Sequence, residues 1–182
     1  MSNAEASARI LDAAIALGVA RGVGAMSLQQ VATAAGVSKA LVLYHFAGKE
    51  ALLTAVATQL AQRDAEALAT AATAADAVDA WRQVAGDAAR RGERALLASL
   101  LLEASLRAQA AGLHAMRASA AQRLAEAMLA VAGLRPRIGA ALLGRVLLHQ
   151  LDGVALTAEG RAAAAVDAEL DAAALALLGL GR

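Results

Sequence analysis

Apolar side chains recur at helical spacing along almost the whole chain, and no segment shows the two-residue alternation of a convincing strand. That periodicity restricts the chain to helix-on-helix packing. Two compositional facts reinforce it. Much of the 59% hydrophobic content is alanine, the strongest helix former, and only one proline, Pro136, interrupts the backbone. The expectation is therefore an all-α fold of about nine helices, three short ones in front and six behind. The first runs from about Glu5 to Ala20 and ends at Gly22 and Gly24. Ser27 opens a second helix through a capping box with Gln30, and Gly36 closes it. A third spans about 38–45, and a fourth runs from Lys49 to about Thr73 with Leu52, Val56 and Leu60 as its buried stripe. Five more are predicted at roughly 76–91, 93–111, 113–132, 137–158 and 162–179. Their joints are placed at Gly92, Gly112, Gly133 to Pro136, and Glu159-Gly160.

Several functional classes drop out early. The chain has no cysteine, so disulfides and thiolate metal sites are excluded. No apolar run approaches the ~18 residues needed to cross a bilayer, and no basic-then-apolar leader is visible. A cytoplasmic protein is the expectation. The net charge is only +1, so bulk electrostatics does not signal a nucleic-acid partner. Both lysines, Lys39 and Lys49, nevertheless fall in one short stretch. Any nucleic-acid contact must then be local, built from a few cations and helix starts.

That stretch reads SLQQVATAAGVSKALVLYHFAGKEALL over residues 27–53. The pattern is helix, tight turn at Gly36, helix. Val31, Val37 and Val42 are placed to pack the pair together. Ser38, Lys39, Leu41, Tyr44 and His45 are left nearer the opposite face. A short second helix of this kind fits a major groove about 12 Å wide and presents its N-terminal residues to base edges.

Here the sequence resembles the TetR family of bacterial transcriptional regulators. The resemblance lies in Ala32, in Ala35-Gly36-Val37-Ser38-Lys39, in Tyr44-His45-Phe46, and in Lys49-Glu50 followed by Leu52-Leu53. It covers about 45 residues; beyond residue 60 only helix number and length support it. It implies a helix-turn-helix DNA-binding domain over 1–48 and a helical effector-binding and dimerisation domain over 49–182, joined by a connecting helix over 49–73. It also implies individual roles. Ser27 and Ser38 would bond phosphates from helix starts, and Lys39 would approach bases or backbone. Ala40, where the family usually has Gly, would allow close backbone approach. Tyr44 and His45 would reach phosphates or base edges, and Lys49 a phosphate. Phe46 would lock the reader in place. Leu41 and Leu43 depart from the family pattern, and Leu41 is expected to touch a thymine methyl instead of donating a hydrogen bond.

The rear of the chain suggests self-association. In 137–158 one stripe holds Leu142, Val146 and Gly153, and a second holds Leu143, Leu147, Leu151 and Val154. A surface helix of a monomer needs only one apolar stripe. The predicted interface is therefore Leu142, Val146 and Gly153 together with Val166, Leu170 and Leu177 of the last helix. A homodimer would set two readers about 34–36 Å apart on a near-palindromic double-stranded DNA operator. In the family a small molecule releases the protein. A largely apolar effector is expected, with Trp81, Leu100, Glu103, Met116 and His149 as candidate pocket residues. Two rivals stand beside this reading. His149 and Asp152 lie three apart, the spacing of two metal ligands on one helix face, but no third ligand is evident. A helical carrier without a DNA role would leave Tyr44-His45-Phe46 and Lys49 unexplained. No cofactor, catalytic residue, metal or membrane partner is expected.

Overall fold

The computed structural model describes residues 2–158 and 160–179, apart from the side chains of Ala163, Leu177 and Leu178. Among these residues there are nine α-helices and no strand. They are α1 (Asn3–Arg21), α2 (Leu28–Ala35), α3 (Lys39–His45), α4 (Lys49–Ala72), α5 (Ala77–Gly86), α6 (Ala88–Leu101), α7 (Arg107–Val131), α8 (Ala140–Thr157) and α9 (Ala163–Leu178). Short 3₁₀ turns follow α1 at Val23–Ala25 and precede α7 at Ala104–Leu106. No single helix is long and apolar enough to cross a membrane.

Capping residues explain most of the starts. Ser2 forms a reciprocal box with Glu5, which begins α1 earlier than periodicity implied. Asp76 and Asp87 cap α5 and α6 by accepting backbone N–H bonds at 2.8–3.2 Å. Such caps stabilise a helix by about 1 kcal/mol each.

Two apolar cores result. The front core joins Ile10, Ile15, Met26, Val31, Val42, Phe46, Leu52 and Val56 to Leu96, Leu97 and Leu100 of α6. The rear core gathers Leu68, Trp81, Leu124, Met128, Leu143, Leu147, Leu151, Val166 and Leu170. Helix α4 supplies side chains to both, so it ties the front of the molecule to the rear.

Between the cores lies a buried charge cluster. Asp64 of α4 accepts from Arg94 Nε of α6 at 2.7 Å and from Arg117 Nε of α7 at 2.7 Å. The Arg117 Nη groups donate in turn to both carboxylate oxygens of Asp152 on α8. Charges this deep hold only when paired, so the cluster fixes how four helices meet. Burial pushes the Arg94 guanidinium below its ordinary range despite Asp64. Arg117 is opposed by burial too, but Asp152 and Asp64 together hold it above that range.

Two predicted joints are corrected. Gly92 lies inside α6 and Gly112 inside α7; the breaks fall at Asp87 and at residues 102–106 instead. An interior glycine weakens a helix by only about 1 kcal/mol, less than the surrounding packing supplies. Gly92 also has a packing reason to be there. A Cβ on it would come within 2.9 Å of Val19 Cγ1, and one on Gly18 within 2.8 Å of Leu96 Cδ2 and Met26 Sδ. Helices α1 and α6 therefore cross in close contact, each giving a glycine to the other's side chain. At the predicted joint before α9, Glu159 lies outside the described residues.

Candidate nucleic-acid interface

The α2–α3 pair is built by its turn. Gly36 closes α2 in the left-handed region, φ 61° and ψ 39°, where a side chain would be strained. Val37 N–H reaches back to Ala32 O at 3.0 Å, the reverse bond of a Schellman ending. From α1, Arg9 donates to Gly36 O at 3.2 Å and braces the turn from outside. Arg9 is thereby engaged by the backbone of the turn. Val31 and Val42 are buried between the two helices and Val37 partly so, as expected.

This packing presents the other face of α3 outward. Lys39, Ala40 and Tyr44 are exposed, Tyr44 at 72%, and Leu41 is partly so. Among the described residues neither Lys39 nor Lys49 has an ion-pair partner. Ser38 Oγ accepts from Leu41 N–H at 3.1 Å, which leaves its own proton available to an incoming acceptor. Ser27 differs. It accepts from Gln30 N–H at 3.2 Å and also donates to Gln30 Oε1 at 2.7 Å, so its hydroxyl is already engaged. The box therefore closes through the side chains and not through the Ser27 backbone. Lys49 is the first residue of α4, whose cap residue Gly48 offers no side chain. The uncapped first turn of that helix carries Lys49 and Glu50, both exposed; of the two, the lysine and the helix start suit phosphate.

His45 is placed differently from its neighbours. It is half-buried, its ring edge-on to Tyr44 at 5.2 Å and tilted against Phe46 at 6.3 Å. Its Nε2 is enclosed without a hydrogen-bond partner among the described residues. Phe46 is buried in the front core.

At the rear, α8 carries the two stripes in the expected arrangement. Leu143, Leu147, Leu151 and Val154 are buried, while Leu142 and Gly153 are exposed and Val146 is partly exposed. His149 and Leu156 extend the outward stripe. The contribution assigned to α9 is corrected. Val166 and Leu170 are each only 2% exposed, packed into the chain's own rear core against α5. The apolar stripe of α9 is therefore consumed inside the protomer. Leu175 is the outward apolar residue there, at 70%. Leu177 lies outside the described side chains.

The predicted pocket residues do not come together. Trp81 lies in the rear core and Leu100 in the front core, whereas Glu103, Met116 and His149 are exposed. Periodicity gave each residue a helix face but not a neighbour. His149 instead faces His114 of α7 with ring centroids 5.6 Å apart. Asp152 is held by Arg117, and no group of three metal-ligating side chains occurs among the described residues.

Residues 10–56 match the family model of bacterial regulatory proteins, tetR family. No curated protein matches the chain in sequence. Solved structures resemble it along its whole length. A protein from Rhodococcus sp. RHA1 superposes with a TM-score of 0.78 at 22% identity, over 98% of this chain and 96% of that one. A TetR-family transcriptional regulator from Agrobacterium tumefaciens gives 0.76 at 19% identity, over all of both chains. The reduced form of NemR from E. coli gives 0.76 at 15% identity, over 97% of each.

Proposed function

Because residues 10–56 match the tetR family model and the whole chain shares its fold with a TetR-family regulator structure, we propose that it is a TetR-family transcriptional regulator that works as a homodimeric repressor. It would bind a near-palindromic operator in the bacterial cytoplasm and be released by a small molecule. Residues 1–48 are the reader, and residues 49–182 the effector-binding and dimerisation unit. The observation that carries this reading is the outward face of α3, where Lys39 and Tyr44 stand exposed beside the uncapped, lysine-bearing start of α4. No core or ion-pair role accounts for those side chains.

The exposed positions support individual contacts in this reading. Ser38 donates its unused hydroxyl proton to a phosphate, and Lys39 reaches phosphate or a guanine edge. Ala40 lets the backbone approach, and Leu41 meets a thymine methyl. Tyr44 and Lys49 take flanking phosphates. Ser27 serves mainly as a cap, and His45 mainly packs Tyr44 in place. The outward stripe of Leu142, Val146 and Gly153 supports pairing of two copies through α8.

Selection of bound DNA from a random pool, using the full chain, tests the reading. Enrichment of a two-fold sequence with half-sites about one helical turn apart is expected. Enrichment of no sequence would end it.

A further inference from the structure

A groove of about 740 Å³ lies between the end of α1, one face of α6 and the end of α8, within the size range of small-molecule sites. Its walls are largely apolar: Val19 and Ala20 from α1, Ala95 and Leu96 from α6, Ala155 and Leu156 from α8. Val19 and Leu156 are large apolar side chains left 44% and 55% exposed, and both border this one space.

The charge of the groove is one-sided. Arg21, in the last turn of α1, and Arg91 of α6 both line it, and among the described residues no carboxylate does. Arg91 donates to the carbonyl oxygens of Ala85 and Gly86 at the end of α5, which are neutral acceptors. Arg21 is exposed and has no side-chain partner among the described residues, and the carbonyl end of α1 offsets only part of its charge. Arg21 lies two residues beyond Val19, and Arg91 adjoins Gly92, the residue Val19 packs against. Both cations therefore belong to the same stretch of groove. The groove between α4, α5 and α6 has no such bias, since it mixes Arg63 and Arg90 with Glu66, Asp87 and Glu93. The α1 groove also lies where the front and rear of the molecule mesh. Gly18, Val19, Gly92 and Leu96, which make the close α1–α6 crossing, are all among its walls.

We propose that the α1–α6–α8 groove is the effector site and takes an organic anion with an apolar body, its head on the arginine charge and its body along Val19, Ala95 and Leu156. The inference rests on the regulatory reading and assigns the site and class of its effector. A ligand shifts an equilibrium only by binding one state better than the other. Here the favoured state is a wider α1–α6 crossing, which opens the groove. The glycine contacts leave no slack at that crossing, so α1 moves as a unit. Helices α2 and α3 pack on α1 and move with it.

The test uses calorimetry on the full chain without DNA, with decanoate as probe and decyltrimethylammonium as a similar tail under the opposite charge. Saturable decanoate binding, at least about tenfold tighter than the cation, is expected. Arg21→Glu reverses an exposed charge and should weaken decanoate at least about tenfold, while the urea midpoint stays near that of the parent. Ala20→Trp fills the groove from an exposed wall position and should abolish binding. With operator present, decanoate should lower the affinity of the parent protein at least about fivefold and leave that of Ala20→Trp unchanged. Absence of decanoate binding, equal binding of the cation, binding unaltered by both variants, or an operator affinity indifferent to decanoate would overturn the proposal. The calorimetry involves no DNA, so its failure is separable from failure of the regulatory reading. Conversely, decanoate binding by a chain that selects no operator would sink the regulator and keep the site.

Discussion

Replacing Lys49 with alanine removes a cation whose only assigned work is on DNA. Lys49 is exposed and begins α4, and it lies outside both apolar cores. Folding stability should therefore change little. If Lys49 neutralises one phosphate, a homodimer loses two such contacts on its operator. Each phosphate contributes about 0.9 to the slope of log K against log salt on duplex DNA, so the slope should flatten by about 1.8. Between about 50 and 200 mM salt, that difference makes the loss of affinity about twelvefold larger at the low-salt end. Fluorescence anisotropy with a labelled operator and with unrelated DNA, at four salt concentrations, measures this directly. Both DNAs should show the flattening, because phosphates carry no sequence information. Arg9→Ala supplies the contrast. Arg9 donates to Gly36 O; if bracing the turn is its whole role, its loss should lower affinity with the slope intact. Parallel salt lines for Lys49→Ala and the parent protein would refute the phosphate role, however large the drop in affinity.

Val146→Glu places a charge in the middle of the outward α8 stripe. Light scattering should show the mass of one chain rather than two, with operator affinity down about 100-fold or more as the second reader becomes untethered. A surviving dimer would remove α8 from the interface. Asp64→Asn leaves two buried guanidiniums facing a neutral amide and should destabilise the fold by about 3–5 kcal/mol in urea denaturation; a change below about 1 kcal/mol would show that the cluster does not hold the helices. Burial, together with His149 and Arg117, keeps the His114 imidazole below its ordinary range. The folded chain then binds fewer protons there than the unfolded chain. Its stability should be full above the ordinary histidine pKa of about 6.5 and decline as pH falls below it. His114→Gln should flatten that decline in melts from about pH 7.5 to 5.5.

The reader was legible because short-range chemistry determines it. Ser27, Gly36 and Ser38 act within three to five residues of themselves, so their caps and turn could be placed from the sequence. The two stripes of α8 were legible for a similar reason, since periodicity alone separates Leu143 and Leu147 from Leu142 and Val146. What periodicity lacks is the identity of the neighbour. It assigned Val166 and Leu170 to a partner when α5 of the same chain covers them. It grouped Trp81 with Leu100, Glu103, Met116 and His149, which occupy separate parts of the molecule. The buried cluster did leave a trace. Asp64 continues the Leu52, Val56, Leu60 stripe at the next four-residue step, before Leu68. A carboxylate at a core position demands a buried cation, but only the fold reveals that Arg94 and Arg117 supply it. The helix ends at Gly92 and Gly112 misled because glycine was taken as punctuation, whereas Asp87 set the true start of α6.

The glycine-to-side-chain meshing of α1 and α6 bears on how such a protein can be re-engineered or can diverge. Gly18 receives Leu96 and Gly92 receives Val19, so the front and rear of the chain are keyed to one another like a matched lock and ward. A chimera carrying this reader on a foreign sensor would need both halves of that key, or the graft would seat crookedly and aim its recognition helices off the groove. Interchangeability of readers among distant relatives should accordingly follow residues 18, 19, 92 and 96 more closely than overall similarity.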